Sequence, residues 1–118
     1  MRTHYAEIPE FVTKDGSIIR ELMHPQQHGN RQQSLAEAIV PPGTSTLLHV
    51  HRQTEEIYYF TGGRGRMRLG DAQFDVARGD TVCILPGTPH NLTNDGPEPL
   101  VLLCASSPAY SHEDTELV

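Results

Sequence analysis

Apolar and polar residues alternate in short runs along most of this chain. Turn-forming residues separate the runs, and no segment keeps the apolar spacing of a helix for more than two turns. Alternation with a period of two is typical of half-buried β-strands. We therefore predict an all-β protein with strands at Ser17–Met23, Ser34–Val40, Ser45–His51, Glu56–Thr61, Arg64–Leu69, Ala72–Val76, Thr81–Leu85, His90–Asn94 and Leu100–Ala105.

The spacing of these runs also predicts the architecture. One strand about every 8 to 12 residues is typical of a sandwich or barrel, and a length of 118 residues suits a single domain. We expect a barrel over residues 34–105, an N-terminal arm over 1–33 and a C-terminal tail over 106–118. Residues 1–16 and the tail are polar, so we expect them to be irregular or swapped onto a neighbouring copy. The tail is either a solvated terminus or a lid over the mouth of the barrel.

One hairpin can be registered from the sequence, because Gly70-Asp71 is typical of a two-residue loop between antiparallel strands. Counting outward from this loop gives the pairs Leu69 with Ala72, Arg68 with Gln73, Met67 with Phe74 and Arg66 with Asp75. Apolar pairs then share one face and charged pairs the other. We interpret the charged face as solvated; an anion-binding stripe is the alternative.

The run Ser45–His51 carries apolar residues on both faces. Leu47 shares one face with His49 and His51, whereas Val50 lies on the other. A strand that is buried on both sides belongs inside a two-layer sandwich or at an interface. This run therefore favours a second sheet or a dimer partner packed outside the barrel.

Composition excludes several classes of protein. Lys and Arg number 9 against 15 Asp and Glu, which gives a net charge of −6 and no excess of cations for a nucleic-acid backbone. No apolar run approaches the roughly 20 residues that span a bilayer, and the first residues do not resemble a signal peptide. We therefore expect no nucleic-acid or membrane partner and a cytoplasmic location. In that reducing compartment Cys83 and Cys104, both in apolar runs, are expected to be buried free thiols.

The candidate chemistry lies in one segment and one later histidine. His49 and His51 occupy positions i and i+2 of a predicted strand, so both imidazoles point the same way and can hold one ion. Glu56 enters the next strand on the face of Tyr58 and can add a carboxylate oxygen. His90 follows a tight turn that directs it into the barrel.

These residues also allow other interpretations. An isolated His-x-His pair is common on protein surfaces, and Glu55 rivals Glu56 as the carboxylate that turns inward. Alternation with Tyr58 favours Glu56. A second histidine pair, His24 and His28, is expected to lie in a loop rather than on a metal-binding helix, because a proline follows the first histidine.

At these residues the chain resembles the cupins. The first cupin motif, G-x5-H-x-H-x3,4-E-x6-G, is matched in full by Gly43, His49, His51, Glu56 and Gly63. The second motif, G-x5-P-x-G-x2-H-x3-N, is matched at Gly79, Gly87, His90 and Asn94. Leu85 stands where its first proline is usual, although Pro86 follows directly and supplies similar rigidity.

The resemblance implies a jelly-roll barrel, that is, a double-stranded β-helix, which is often dimeric. It further implies that His49, His51, Glu56 and His90 hold a divalent transition metal: Mn, Fe, Ni, Cu, Co or Zn. Such an ion, with one carboxylate among its ligands, suits a small anion. We therefore expect a metal-dependent enzyme acting on a small anionic or enolisable organic compound, dioxygenase-like or decarboxylase-like.

Two residues are expected to take part in that chemistry, and two other functions stay open. Glu56 is expected to act as a base, and Tyr58 is expected to donate a hydrogen bond to a substrate oxygen. A non-catalytic cupin that binds or senses a small molecule is one alternative. A sugar-phosphate isomerase is the other, although the hairpin arginines are expected to face away from the barrel interior.

Overall fold

The computed structural model describes all 118 residues as an all-β fold, as predicted. A 3-10 turn at Tyr5–Glu7 and a four-residue α-helix, α1, at Pro25–His28 are its helical elements. The strands are β1 Phe11–Val12, β2 Ile18–Met23, β3 Ser34–Val40, β4 His49–His51, β5 Glu55–Gly62, β6 Arg64–Leu69, β7 Ala72–Ala77, β8 Thr81–Ile84, β9 His90–Thr93, β10 Leu100–Ser107 and β11 Thr115–Leu117.

The strands form two sheets that face each other across the core. One sheet has six strands in the order β1-β2-β3-β10-β5-β8, and the other has five in the order β11-β4-β9-β6-β7. Phe60 and Leu102 from the first sheet and Met67 from the second are almost fully buried. Burial of apolar side chains from both sheets supplies the main driving force for this packing. No helix is long and apolar enough to cross a membrane.

The registered hairpin is confirmed. β6 and β7 pair Leu69 with Ala72, Met67 with Phe74 and Arg66 with Asp75, as counted from the Gly70-Asp71 loop. The arginines of β6 are exposed and Met67 is buried. The charged face is therefore solvated, because the period of two places every second residue outside.

The prediction of one continuous strand over Ser45–His51 is wrong. Only His49–His51 forms a strand, and Leu47 is 52% exposed although His49 is buried. The backbone of the preceding residues bonds to separate segments: Thr46 N donates to Leu92 O, and Leu47 N donates to Asp15 O. These divergent partners break the alternation, so Leu47 and His49 do not share a face.

The expectation that both termini are irregular or swapped is also wrong in part. β1 pairs with β2, and β11 pairs with β4 of the same chain. The carboxylate of Asp114 accepts hydrogen bonds from the backbone N–H groups of Gln53 and Thr54, and Lys14 Nζ donates to Thr115 O at 2.9 Å. These contacts hold the tail against the barrel beside β4.

Two smaller predictions need correction. Both cysteines are free, but Cys83 is exposed and only Cys104 is buried, because Cys83 lies on the outer face of β8. His24 precedes a single helical turn and His28 is its last residue, so the two do not lie in a loop. Proline is favoured at the first position of a helix, and His24 caps this turn by accepting a hydrogen bond from Gln26 N at 3.1 Å.

Candidate metal centre

Three histidines from two adjacent strands converge at one end of the five-stranded sheet. His49 and His51 begin and end β4, and His90 begins β9 directly opposite His49. One ring nitrogen from each lies within 4.8 Å of the others. All three side chains are buried, with 3%, 4% and 1% of the surface of His49, His51 and His90 exposed. The strand period of two explains why His49 and His51 share this face.

Glu56 approaches the histidines from the other sheet. It is the second residue of β5, and its Oε1 lies 2.8 Å from His51 Nε2 and 3.4 Å from His90 Nε2. The burial pattern of β5 alternates, so Glu56 and Tyr58 are buried whereas Glu55 is exposed. The structure thus brings Glu56 to two of the three histidines, His51 and His90, and directs Glu55 to solvent.

The rings are held in one orientation by their Nδ1 atoms. His49 Nδ1 lies 2.8 Å from Leu47 O, and His90 Nδ1 lies 2.9 Å from Thr88 O. Because a carbonyl oxygen only accepts, both Nδ1 atoms are the protonated ones. Neutral rings in this tautomer present the lone pair of Nε2 to the centre, as metal-binding histidines do.

His51 is oriented by the C-terminal tail. Its Nδ1 lies 3.0 Å from Thr115 Oγ1, and that hydroxyl donates its own proton to Ser111 O at 2.9 Å. Thr115 therefore accepts the hydrogen bond from His51, which leaves His51 Nε2 unprotonated when the ring is neutral. A residue of β11 thus fixes the tautomer of a central histidine.

The atoms that face the centre have no hydrogen-bond partner. His51 Nε2, His90 Nε2 and Glu56 Oε1 are fully buried and unpaired. Buried polar atoms are seldom left unpaired, because desolvation costs free energy that only a partner returns. Two nitrogen lone pairs beside a carboxylate oxygen repel one another unless a cation lies between them. These residues therefore fit a bound metal ion, and their donor atoms suit Mn, Fe, Co, Ni, Cu or Zn.

The electrostatics of the site favour the metal-binding forms of its donors. Burial raises the pKa of Glu56, but the facing imidazoles of His51 and His90 outweigh it and bring the pKa to about 2. Burial, followed by the nearby His90 ring, lowers the pKa of His49 below its ordinary value of 6.5. At neutral pH Glu56 is therefore ionised and His49 is neutral.

Tyr58 lies two residues beyond Glu56 on the same face of β5. Its ring centroid is 6.1 Å from that of His90, and its side chain lines the cavity in front of the histidines. Burial raises the pKa of Tyr58, so its phenol keeps its proton at neutral pH. The hydroxyl makes no hydrogen bond within the chain, which leaves it available to a bound molecule.

The cavity in front of the site is small. The space open to the centre of a water molecule is about 50 Å³, which corresponds to roughly four waters. The lining consists of hydroxyl, carboxylate, imidazole and small apolar side chains, without a Lys or Arg: Thr13, Asp15, Ser17, Ile19, Glu21, Ser34, Ala36, His49, His51, Glu56, Tyr58, Cys104, Ser106, Tyr110 and Thr115.

Several of these residues are absent from the sequence motifs. Asp15 Oδ2 lies 3.6 Å from His49 Nε2, while Asp15 Oδ1 accepts hydrogen bonds from Thr13 and Ser17. Ser106 Oγ donates to Glu56 Oε2 at 3.3 Å. Asp15 belongs to the N-terminal arm and Ser106 to the end of β10. No spacing in the sequence relates them to the histidines, because only the folded sheets bring them together.

Comparison with known proteins places the fold and the site in context. A family model described as "Cupin domain" matches residues 36–106. An uncharacterized protein of Methanocaldococcus jannaschii is 55% identical over 118 residues, which cover 100% of this chain and 94% of that protein. A protein of Thermotoga maritima named oxalate-binding protein is 31% identical over 79 residues, 67% of this chain and 61% of that protein.

A solved structure agrees with the observed architecture. A conserved protein of Klebsiella pneumoniae with a double-stranded β-helix domain superposes with a TM-score of 0.74 and 18% sequence identity. The match covers 92% of this chain and 89% of that one. At this identity the likeness concerns the fold alone, and it confirms the predicted double-stranded β-helix.

Proposed function

The chain belongs to the cupin family, and from this premise we propose that it is a metal-dependent enzyme acting on a small anionic or enolisable organic compound. One observation carries the proposal: buried, unpaired donor atoms of His51, His90 and Glu56 face one another, and His51 and Glu56 also line a small cavity. Buried polar atoms of this kind are seldom found without a bound ligand as their partner, because each unpaired buried atom lowers the stability of the fold.

The proposed ligands are His49, His51, Glu56 and His90, around one divalent ion: Mn, Fe, Ni, Cu, Co or Zn. When bound, the ion supplies positive charge that stabilises an enolate or carboxylate oxygen, and a redox-active ion also supports oxygen chemistry. This donor set fits both the dioxygenase-like and the decarboxylase-like interpretation. The cavity volume of about 50 Å³ holds only a few heavy atoms, so the cavity would enclose the metal-bound end of a substrate.

Two residues are proposed to act on the substrate. Tyr58 keeps its phenolic proton, because burial raises its pKa, and donates a hydrogen bond to a substrate oxygen. Glu56 accepts a proton from the substrate when its carboxylate turns away from the imidazoles. Burial alone raises the pKa of Glu56, so in that position the carboxylate is a stronger base.

A binding protein without catalysis is the second candidate. The observation that favours it is the 31% identity to the Thermotoga protein named oxalate-binding protein. A sugar-phosphate isomerase is less well supported. A phosphate group needs cationic or N–H donors, and neither Lys nor Arg lines the cavity.

The decisive experiment is metal analysis followed by turnover assays. We expect the purified protein to bind about one transition-metal ion per chain and, after loading with each candidate metal, to convert one of these compounds: a diketone, a catechol, a quercetin-like phenol or oxalate. Oxygen uptake and product analysis measure turnover, with His49→Ala as the metal-free control. Tight binding without turnover would favour the binding protein, and absence of metal would overturn both candidates.

A homodimer is also proposed, and one apolar sheet face supports it. Strands β3, β10, β5 and β8 expose Leu35, Ile57, Tyr59 and Cys83 on the side opposite the core, around the half-buried Leu103. Their register makes these residues neighbours: Tyr59 pairs with Leu103, and Ile57 pairs with Cys83. Contiguous exposed apolar patches mark interaction sites in many proteins.

A second copy of the chain is the occupant that best fits this face. A twofold axis brings the same patch of each copy together, so the apolar side chains of one copy meet those of the other, with Glu37 next to Leu103. The chain carries a net charge of −6, and its charged surfaces repel another copy. A cytoplasmic location and the absence of nucleic-acid and membrane partners stay predictions from the sequence.

A further inference from the structure

A second buried carboxylate, Glu21, stands across the cavity from the candidate metal centre. It lies on β2, and its side chain is 8% exposed. The strand register places one row of inward-facing residues across the sheet: Glu21, Ala36, Cys104 and Tyr58. All four line the cavity. Three strand spacings separate the ends of the row, about 14 Å between the Cα atoms of Glu21 and Tyr58.

The middle of this row is open because its residues are small. Ala36 and Cys104 form the floor between Glu21 and Tyr58. The cavity therefore continues from His49 and His51 over this floor to Glu21.

The chain itself leaves the carboxylate of Glu21 without a hydrogen bond. Its nearest charged or titratable neighbour is His24, whose Nε2 lies 3.5 Å from Glu21 Oε2. That nitrogen already makes a hydrogen bond to the carbonyl oxygen of Tyr110, at 2.7 Å. His24 Nδ1 accepts from Gln26 N, so the neutral ring has its one proton on Nε2. The carboxylate of Glu21 can therefore accept a hydrogen bond from a ligand.

The charge around the cavity is unfavourable for anions. Asp15, Glu21 and Glu56 contribute three carboxylates, and no Lys or Arg lines the cavity. With a bound divalent ion, the three carboxylates and the metal together carry a net charge of about −1. One like charge about 10 Å from a ligand charge, at an effective dielectric constant of about 20, weakens binding roughly tenfold.

We propose that Glu21 determines substrate specificity by accepting a hydrogen bond from a hydroxyl group of a neutral, enolisable substrate and by disfavouring dianions. The inference rests on the proposed function, because it assumes that the other end of the substrate binds the metal through oxygen. It narrows the substrate class to small neutral hydroxycarbonyl compounds. These become anionic only at the metal, where the positive charge lies.

Calorimetric binding to the Mn²⁺-loaded protein tests the proposal with three small probes. Dihydroxyacetone and hydroxyacetone differ by one hydroxyl group, and oxalate is a dianion of similar size. We expect the native protein to bind dihydroxyacetone about tenfold more tightly than hydroxyacetone. Glu21→Gln should reduce this preference, because a hydrogen bond to a neutral amide is weaker, and should raise the affinity for oxalate about tenfold.

Matched variants control for charge and folding. Asp75→Asn removes one exposed negative charge outside the cavity and should leave every affinity unchanged. Glu21→Asp keeps the charge and should keep the discrimination against oxalate. Unaltered Mn²⁺ content verifies that each variant retains the site.

The outcomes separate this inference from the proposed function. If dihydroxyacetone binds the Mn²⁺ protein but Glu21→Gln leaves both oxalate affinity and hydroxyl preference unaltered, the inference about Glu21 is overturned and the proposed function stands. If the native protein binds none of the candidate metals, both are overturned. If it binds Mn²⁺ but none of the three probes, the inference about Glu21 is overturned and the proposed function stands.

Discussion

His51 Nε2 lies 2.8 Å from Glu56 Oε1, and neither atom is exposed or hydrogen-bonded. The Nδ1 proton of His51 already goes to Thr115 Oγ1. A neutral His51 therefore directs a lone pair at a carboxylate oxygen, and this contact is stable only when a cation lies at it. A bound metal ion meets this requirement.

The first prediction is that Zn²⁺ binds at this contact with a stoichiometry of about one ion per chain. The unpaired Nε2 atoms of His51 and His90 offer lone pairs, and the ionised Glu56 offers a negative charge. Calorimetric titration of the metal-free protein with Zn²⁺ measures the stoichiometry and the affinity.

Two glutamine variants distinguish the carboxylates. Glu56→Gln removes a ligand charge and should weaken Zn²⁺ binding at least tenfold. Glu55→Gln, one residue earlier and exposed, should match the native protein in Zn²⁺ affinity. Equal affinity in all three proteins would exclude Glu56 as a ligand.

The second prediction concerns stability. His49→Ala should remove most of the bound metal and, with it, the stabilisation that comes from binding only to the folded state. At a metal concentration one hundred times Kd this amounts to about 2.7 kcal/mol, or roughly 10 °C in Tm for a domain of this size. Thermal unfolding with and without metal measures the difference.

His112→Gln is the matched control, because His112 is exposed and outside the site. Its Tm should rise with metal as much as that of the native protein. An equal metal-dependent rise in His49→Ala would contradict the assignment of His49.

The third prediction tests the contribution of the tail. Thr115→Val removes the acceptor for His51 Nδ1 while keeping the size of the side chain. Loss of such an orienting partner typically lowers metal affinity roughly 10- to 100-fold. Thr115→Ser keeps the hydroxyl and should restore most of the affinity. Competition with a fluorescent chelator measures Kd, and equal affinities for the Val and Ser variants would show that the hydroxyl is not needed.

The central part of the fold was predictable because its signals are local. Alternation along β5 separates the inward Glu56 from the outward Glu55, and the Gly70-Asp71 loop fixes a whole hairpin register. Each inference needs only neighbouring residues and a period of two. The same is true of His49 and His51 at the ends of β4.

The contacts from the chain ends were not predictable. Thr115 reaches His51 across 64 residues of sequence, and a strand as short as β11 carries no measurable period. Its path depends on long-range contacts such as that of Lys14 with the Thr115 carbonyl. Cys83 was misplaced for another reason: it lies within an unbroken apolar run, in which alternation does not identify the inner face.

The fourth prediction concerns pH. Burial lowers the folded-state pKa of His49 below the ordinary value of 6.5, so the unfolded chain binds the proton first as the pH falls. The free energy of unfolding of the metal-free protein should therefore decrease as the pH falls below about 6.5. The slope from one such group is at most about 1.4 kcal/mol per pH unit.

Urea unfolding with a chelator present, at pH 7.5, 6.5 and 5.5, measures this slope. His49→Gln should show a smaller slope than the native protein, because the titrating group is gone. The exposed-site variant His112→Gln should keep the native slope. A slope that His49→Gln leaves unaltered would assign the pH dependence to other groups.

The fifth prediction addresses the apolar face of the six-stranded sheet. Tyr59 is 46% exposed and lies beside Leu103 on the outer side of that sheet. In a twofold dimer through this face, Tyr59→Asp buries an unpaired charge in each copy. The desolvation of such a charge costs several kcal/mol, so the variant should be monomeric at concentrations where the native protein is dimeric. Sedimentation velocity measures both species.

The control for this prediction must add the same charge elsewhere, since a chain with a net charge of −6 already repels its copies. Val118→Asp does so at a terminal residue that is 65% exposed beside the other sheet. It should leave the dimer intact. That result would show that the position of the added charge, and not the net charge of the chain, prevents dimer formation. If the native protein sediments as a monomer at every concentration, the proposed homodimer is wrong.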